Sequence, residues 1–261
     1  MNKPDYKNWI PKWMITAGII GSALSLVLLL LFTFVLHGTA RVVLCFIFAL
    51  AFLFMCIYLV WSIFAYRAFS YTGKRKLSKD IIEGIAGYVK LEDGKTALDI
   101  GCGSGTLAIA VAKRNPGASV TGCDRWGKEY AEFSMQLCSA NAKAEKASKV
   151  VFQNGDATAL PFANEQFDAV VSNYVYHNIP SKDRQAILLE TLRTLKKGGT
   201  FAIHDIFSRQ KYGDMDSFVR KLGEMGYEKV ELINTTDGRF MSSKESKMLF
   251  LSGSKLLIGI K

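Results

Sequence analysis

The sequence predicts a doubly wound α/β domain with a mostly parallel sheet, preceded by a hairpin of two long apolar helices. Three observations carry this reading. Residues 14–65 hold a single charged side chain, Arg41, while both flanks are rich in lysine and arginine. From about residue 78 onward, short apolar runs alternate with stretches of helical spacing, the mark of repeated strand–helix units. A glycine cluster, Gly101-Cys102-Gly103-Ser104-Gly105, follows the first of those runs directly.

The hairpin is read first. Residues 14–36 carry no charge, and as a helix they reach about 34 Å, enough for a hydrocarbon core of about 30 Å. His37-Gly38-Thr39-Ala40-Arg41 then turns the chain into a second run, 42–65, so the pair must be antiparallel. Trp9, Trp13, Tyr58, Trp61 and Tyr66 stand near the ends, where amphipathic rings favour a membrane interface. A cleaved signal segment is shorter and lacks a second span. A buried core hairpin would show a polar face.

Lys3, Lys7 and Lys12 precede the first run; Arg67, Lys74, Arg75, Lys76 and Lys79 follow the second. That asymmetry places both termini and the folded domain on the cytoplasmic face of the cell (inner) membrane. The expected divisions are a cytoplasmic segment 1–13, a transmembrane hairpin 14–65, a basic linker or lid 66–79, and a folded domain 80–261.

The formal net charge of +10 invites a nucleic-acid partner, but the basic residues are scattered, with no aromatic-interleaved stripe. Attraction to anionic lipid headgroups accounts for them better, and no nucleic-acid partner is expected. Cys45, Cys56, Cys102, Cys123 and Cys138 show neither CxxC nor Cys/His spacing. They suit a reducing compartment, and no metal is expected.

In the folded part, Ser78 reads as the cap of a helix with Ile81, Ile82, Ile85 and Val89 on one face. Strand Thr96–Ile100 and a helix from about 105 to 114 follow, then strand Ser119–Cys123 and a helix over about 128–145. Strand Val150–Gln153 leads to the loop 155–161 and the buried strand Phe167–Ser172. Ser181 reads as the cap of a helix to about 195, before strand Thr200–Ile206 and a helix over about 215–225. Two extended segments near 229–234 and 246–260 have no intervening helix, so they form an antiparallel pair at one edge.

In such a sheet, ligands bind beyond the carboxyl ends of the strands. Glycines there let backbone approach a ligand, and the following helix presents unpaired amides. The spacing is GxGxG, with Thr106 where a dinucleotide fingerprint would want its third glycine, which disfavours a nicotinamide oxidoreductase.

The run Ala97-Leu98-Asp99-Ile100-Gly101-Cys102-Gly103-Ser104-Gly105 resembles motif I of the class I S-adenosylmethionine (SAM)-dependent methyltransferases, which have a Rossmann-like fold. Further motifs fit in order over about 78–208, and the neighbourhood is similar to the small-molecule, ubiquinone/menaquinone type. The resemblance implies SAM as cofactor. It implies that Asp99 supports the methionyl amine and that Gly101, Gly103 and Gly105 pack against the methionyl part. Asp124 would hold both ribose hydroxyls, flanked by Arg125 and Trp126 at the adenine. Asp156 and the Ala157 amide would meet the adenine, and Asn173 and Tyr174 would face the methionyl group and the methyl.

If the acceptor must lose a proton, His177 is the expected base with Tyr174 beside it; equally, His177 could serve only a local hydrogen bond. His204 and Asp205 also end a strand at the cleft mouth, ranked below it. Tyr71 is expected to fold over the cofactor, or to be plain linker. Asp99 and Asp156 have the competing reading of capping or turn residues; Cys102 and Cys123 read as small filler. The expected acceptor is a small, hydrophobic or lipid-like molecule. The alternatives are a soluble acceptor, or a SAM-binding sensor or scaffold without turnover.

Overall fold

The computed structural model describes residues 3–127 and 132–261. The chain divides into two compact units: Asn8–Lys79, and the segment ending at Lys7 together with Asp80–Lys261.

The first unit is a helical hairpin, α1 (Lys12–Val35) and α2 (Gly38–Ala68), joined through Leu36 and His37. Helix α2 is longer than expected at both ends. It starts at Gly38 and absorbs Tyr66, Arg67 and Ala68 from the presumed linker, where no proline or capping side chain stops it. Small residues let the helices meet: a Cβ on Gly18 would lie 2.9 Å from Leu59 Cβ, and one on Gly21 2.2 Å from Met55 Cε. Ser22 and Ser25 return their hydroxyls to the carbonyls of Gly18 and Gly21, at 2.8 and 2.7 Å. These polar groups are therefore satisfied within α1. Around the rest of the hairpin Ile20, Val27, Phe34, Phe46, Phe54 and Val60 stand exposed. Both helices are long and apolar enough to cross a membrane.

The second unit contains a seven-stranded sheet of order β3-β2-β1-β4-β5-β7-β6. Its strands are β1 (Thr96–Ile100), β2 (Ser119–Asp124), β3 (Val150–Asn154), β4 (Phe167–Asn173), β5 (Leu195–Ile206), β6 (Glu228–Asn234) and β7 (Ser254–Ile260). Strands β1–β5 pair in parallel, and β7 runs antiparallel to both β5 and β6. The doubly wound sheet and its antiparallel carboxyl-terminal pair are as the sequence predicts. The central strands β1 and β4 are buried on both faces, which is why they read as mainly apolar runs. The order reverses between β1 and β4, opening a crevice at their carboxyl ends.

The helices are α3 (Leu77–Ala86), α4 (Thr106–Arg114), α5 (Met135–Ala144), α6 (Arg184–Arg193), α7 (Arg209–Tyr212), α8 (Met215–Glu224) and α9 (Ser243–Met248). Several depart from expectation for local reasons. Ser78 does not cap α3; its hydroxyl donates to the Phe69 carbonyl at 2.7 Å. Helix α5 starts at Met135, capped by Ser134 through the Leu137 amide; of the earlier stretch expected to be helical, residues 128–131 lie outside the described residues. Asp183 rather than Ser181 caps α6, because Ser181 spends its hydroxyl oxygen on the Asp183 amide. Strand β7 begins at Ser254, later than expected, since Ser242 caps the helical turn of α9 within the stretch read as extended.

Asp168 braces the end of the sheet away from the crevice. It accepts from the Thr96 amide and hydroxyl, both at 2.9 Å, and from Lys196 Nζ at 2.9 Å. Burial alone would raise its pKa; the bonds from Lys196 and Thr96 outweigh that and hold it down at about 2. A lowered folded-state pKa stabilises the fold above the unfolded value and loses that contribution as pH falls through the folded one. Asp168→Asn is therefore expected to cost about 1–2 kcal/mol at neutral pH. In urea unfolding followed from pH 7 downward, the gap from the parent should close between about pH 4 and pH 2.

Candidate functional site

The glycine loop leaves β1 in the left-handed region, with φ of +68° at Gly101, +55° at Gly103 and +79° at Gly105. The three positions differ in their surroundings. A Cβ at Gly101 would meet Val175 Cγ2 at 2.2 Å, and one at Gly105 would meet Phe152 Cζ at 2.8 Å. At Gly103 nothing lies within 4 Å among the described residues. Gly101 and Gly105 are thus fixed by packing, and Gly103 forms the open face of the loop.

Asp99 sits beneath this loop, 1% exposed. Its Oδ2 accepts from the Ala108 amide in the first turn of α4 at 2.9 Å, whereas Oδ1 is buried with no hydrogen-bond partner among the described residues. Burial raises its pKa well above the usual carboxylate range. A buried carboxylate oxygen left unpaired is costly, and a cationic ligand group arriving through the loop would relieve it.

Asp124, ending β2, closes the loop from the side. Its two oxygens accept from the amides of Gly103 and Trp126, each at 2.8 Å. Each oxygen retains a further lone pair for a ligand hydroxyl. Trp126, with φ of +44°, folds its indole back so that Nε1 donates to the Gly103 carbonyl at 3.0 Å. Asp156 behaves as a turn former, taking the Thr158 amide and hydroxyl on Oδ1, at 2.8 and 2.7 Å. Those bonds from Thr158 lower its pKa, and its Oδ2 lies 4.0 Å from Arg125 Nη1. Ala157 is partly buried against the core.

The ends of β4 and β5 carry two separate histidine clusters. His204 is fully buried, its Nδ1 2.8 Å from Asn173 Oδ1 and its Nε2 3.0 Å from Thr235 Oγ1. Burial drives its pKa down to about 3, so the ring is neutral and ties strands together. Tyr174, expected beside the reacting group, is held in the left-handed region at φ +55°, uncommon for an aromatic residue. Its ring lies 4.6 Å from that of His204, and its hydroxyl bonds Ser254 Oγ at 2.8 Å. Burial raises the phenol, which makes it a poor base.

His177 lies in a short 3₁₀ turn, Tyr176–Asn178, and remains partly exposed. Its Nδ1 is 2.5 Å from Asp205 Oδ1. Asp205 is fully buried and also accepts from the amides of Tyr176, at 2.8 Å, and Ile206, at 2.6 Å. Arg184 holds the turn by donating to the carbonyls of Tyr176, Ile179 and Ser181. With Asp205 on Nδ1, the proton sits there and Nε2 is the basic nitrogen. The sequence ranks Asp205 low because this partnership is made through space; its place at a strand's carboxyl end was the only available signal.

Burial pushes the Cys123 thiol up to about 12 and raises Cys102 as well, consistent with filler roles. Tyr71 belongs to the other unit, where Lys79 Nζ stands 6.0 Å from its ring centre.

A family described as "Methyltransferase domain" matches residues 91–249, more than half of the chain. The 27-O-demethylrifamycin SV methyltransferase of Amycolatopsis mediterranei is 32% identical over 149 residues, 56% of this chain and 51% of that one. The demethylmenaquinone methyltransferase of Lactobacillus johnsonii is 32% identical over 117 residues, 44% of this chain and 45% of that one. The chain thus spans about half the length of the curated relatives it matches. Among solved structures, a geranyl diphosphate methyltransferase in complex with GPP and sinefungin superposes with a TM-score of 0.57. It covers 75% of this chain and 81% of its own at 13% identity, a likeness of fold. With a glycine loop after β1, acids at the ends of β1 and β2, and this match, the chain belongs to the methyltransferase-domain family of the class I, SAM-dependent architecture.

Proposed function

We propose that this chain transfers the methyl group of SAM to a small, hydrophobic or lipid-like acceptor, and does so at the cytoplasmic membrane face to which its hairpin anchors it. One observation carries the cofactor reading: the unpaired, buried Asp99 Oδ1 beside a loop whose open face is Gly103. The acceptor reading rests on relatives named for demethylmenaquinone and demethylrifamycin, and on two helices exposing apolar side chains over most of their surface.

When bound, SAM supplies an electrophilic methyl group that an acceptor lone pair takes in line as the carbon–sulfur bond breaks. The chain's own residues bind and align. Asp99 takes the methionyl ammonium, directly or through water, and Gly101–Gly105 bring backbone close. Asp124 accepts from the ribose hydroxyls, Arg125 and Trp126 flank the adenine, and Asp156 with the Ala157 amide reads its edge. Asn173 faces the methionyl group. Where the acceptor loses a proton, His177 Nε2 receives it and Asp205 steadies the resulting imidazolium.

The test incubates detergent-solubilised protein with methyl-labelled SAM and a total lipid extract, then identifies labelled products by mass spectrometry. Label in a lipid-phase product is expected. Label only in a parallel soluble extract would overturn the lipid-like acceptor, and tight SAM binding with no labelled product would overturn turnover itself.

A further inference from the structure

We propose that the segment ahead of the first apolar helix is part of the cofactor site: acting through Asn141, it holds the glycine loop in its binding shape. This rests on the SAM reading above, and it makes Asn141 a positioning residue. The Asp5 amide donates to Asn141 Oδ1 at 2.7 Å, and Asn141 Nδ2 donates back to the Asp5 carbonyl at 3.0 Å. The second hydrogen of the same Nδ2 reaches the Ser104 carbonyl, in the glycine loop, at 3.0 Å. Asn141 is 2% exposed, so both donors and its acceptor are committed in a buried place.

The neighbouring loop carbonyl is held the same way. Cys138, three residues earlier on α5, donates to the Gly103 carbonyl at 3.1 Å. A trans peptide is planar, with N–H pointing opposite to C=O. Drawing the Gly103 and Ser104 carbonyls toward α5 therefore turns the amides of Ser104 and Gly105 away from it. The Gly105 amide closes the tight turn onto the Cys102 carbonyl at 2.8 Å. The Ser104 amide is the one left oriented to the loop's outer side.

The segment is itself shaped to dock. Tyr6 is 8% exposed, and Lys7, at φ +56°, donates its amide to Asp5 Oδ1 at 3.2 Å and pairs its Nζ with Oδ2 at 2.6 Å. Without it, the buried Asn141 amide keeps one of its three bonds. It would then be drawn to other partners, and the Ser104 carbonyl would lose its restraint.

Three variants that keep the hairpin and the whole folded domain test this in detergent: one lacking residues 2–7, Asp5→Pro, and Asp5→Ala. The proline removes the amide hydrogen that meets Asn141, whereas the alanine removes only side-chain contacts. Affinity for S-adenosylhomocysteine is measured by calorimetry, and hydrogen exchange is followed at the amides of residues 103–107. The deletion and Asp5→Pro are expected to bind about tenfold more weakly and to exchange faster in that loop, with Asp5→Ala within about twofold of the parent. Parent-like affinity and exchange in the deletion would overturn the proposal. If the deletion loses its helical circular dichroism, Asp5→Pro decides by the same criteria. A parent that binds no S-adenosylhomocysteine defeats the SAM reading instead, and the exchange comparison still decides whether the segment holds the loop.

Discussion

Replacing Asp205 with asparagine is expected to lower turnover in the labelled-SAM assay by roughly 10²- to 10⁴-fold, with cofactor affinity within about twofold of the parent. The reason lies in proton placement. The Asp205 carboxylate lies 2.5 Å from Nδ1 of His177, which puts the ring proton there and leaves Nε2 free to act as the proposed base. An asparagine can offer an N–H to Nδ1 instead, which forces the ring proton onto Nε2 and removes the base without emptying the site. The Tyr176 amide can still donate to the asparagine oxygen, whereas the Ile206 amide, which shares Oδ1 with His177, loses its acceptor, so a stability loss of about 1–2 kcal/mol should accompany the change. A fall of less than about fivefold, with the product identified, would assign the reaction to an acceptor with no proton to lose and take His177 out of the chemistry. His177→Gln should then behave like the parent as well.

Gly101→Ala is expected to cost about 2–4 kcal/mol of stability, a drop in Tm of roughly 5–12 °C. The new Cβ would sit 2.2 Å from Val175 Cγ2 and 3.0 Å from Val175 Cβ, so no rotamer change alone relieves the clash. The backbone at φ +68° adds a strain of roughly 1 kcal/mol for any side chain. Pairing it with Val175→Ala should recover most of the clash and none of the backbone strain, so the double-variant cycle should be strongly non-additive. Gly103→Ala gives the contrast. Among the described residues nothing lies within 4 Å of its would-be Cβ, so stability should fall by only about 1 kcal/mol while S-adenosylhomocysteine affinity falls more than tenfold. Equal stability losses at the two glycines would contradict the assignment of Gly103 to the ligand face.

What could be read in advance follows from where the information lies along the chain. Strands β1 and β4 were legible because burial on both faces makes most of their side chains apolar. Asp99, Asp124 and Asn173 were legible for the same reason, as polar residues within or closing apolar runs at the crevice. The helices α7 and α9 were not, since they are four and six residues long and too short to show a period. Nor were the bonds that join distant residues. His177 and Asp205 are 28 positions apart, and Asp5 and Asn141 are 136 apart, with nothing local to mark either pair. Ser181 and Asp183 show the limit at short range: both suit a helix cap, and a bond between them decides which one serves. The positive φ of Tyr174 and its bond to Ser254 are likewise invisible in the sequence.

The docking of Asp5 on α5 also constrains parity. The chain leaves the folded unit after Lys7 and re-enters it at Asp80, so whatever lies between must return to the side it left. For a chain threading a bilayer, this admits an even number of crossings and forbids a single one, independently of any count of lysines. It also bears on how the protein is cut for study. A fragment beginning at Asp80 would keep every strand of the sheet and discard Asp5, and with it two of the three bonds that hold Asn141.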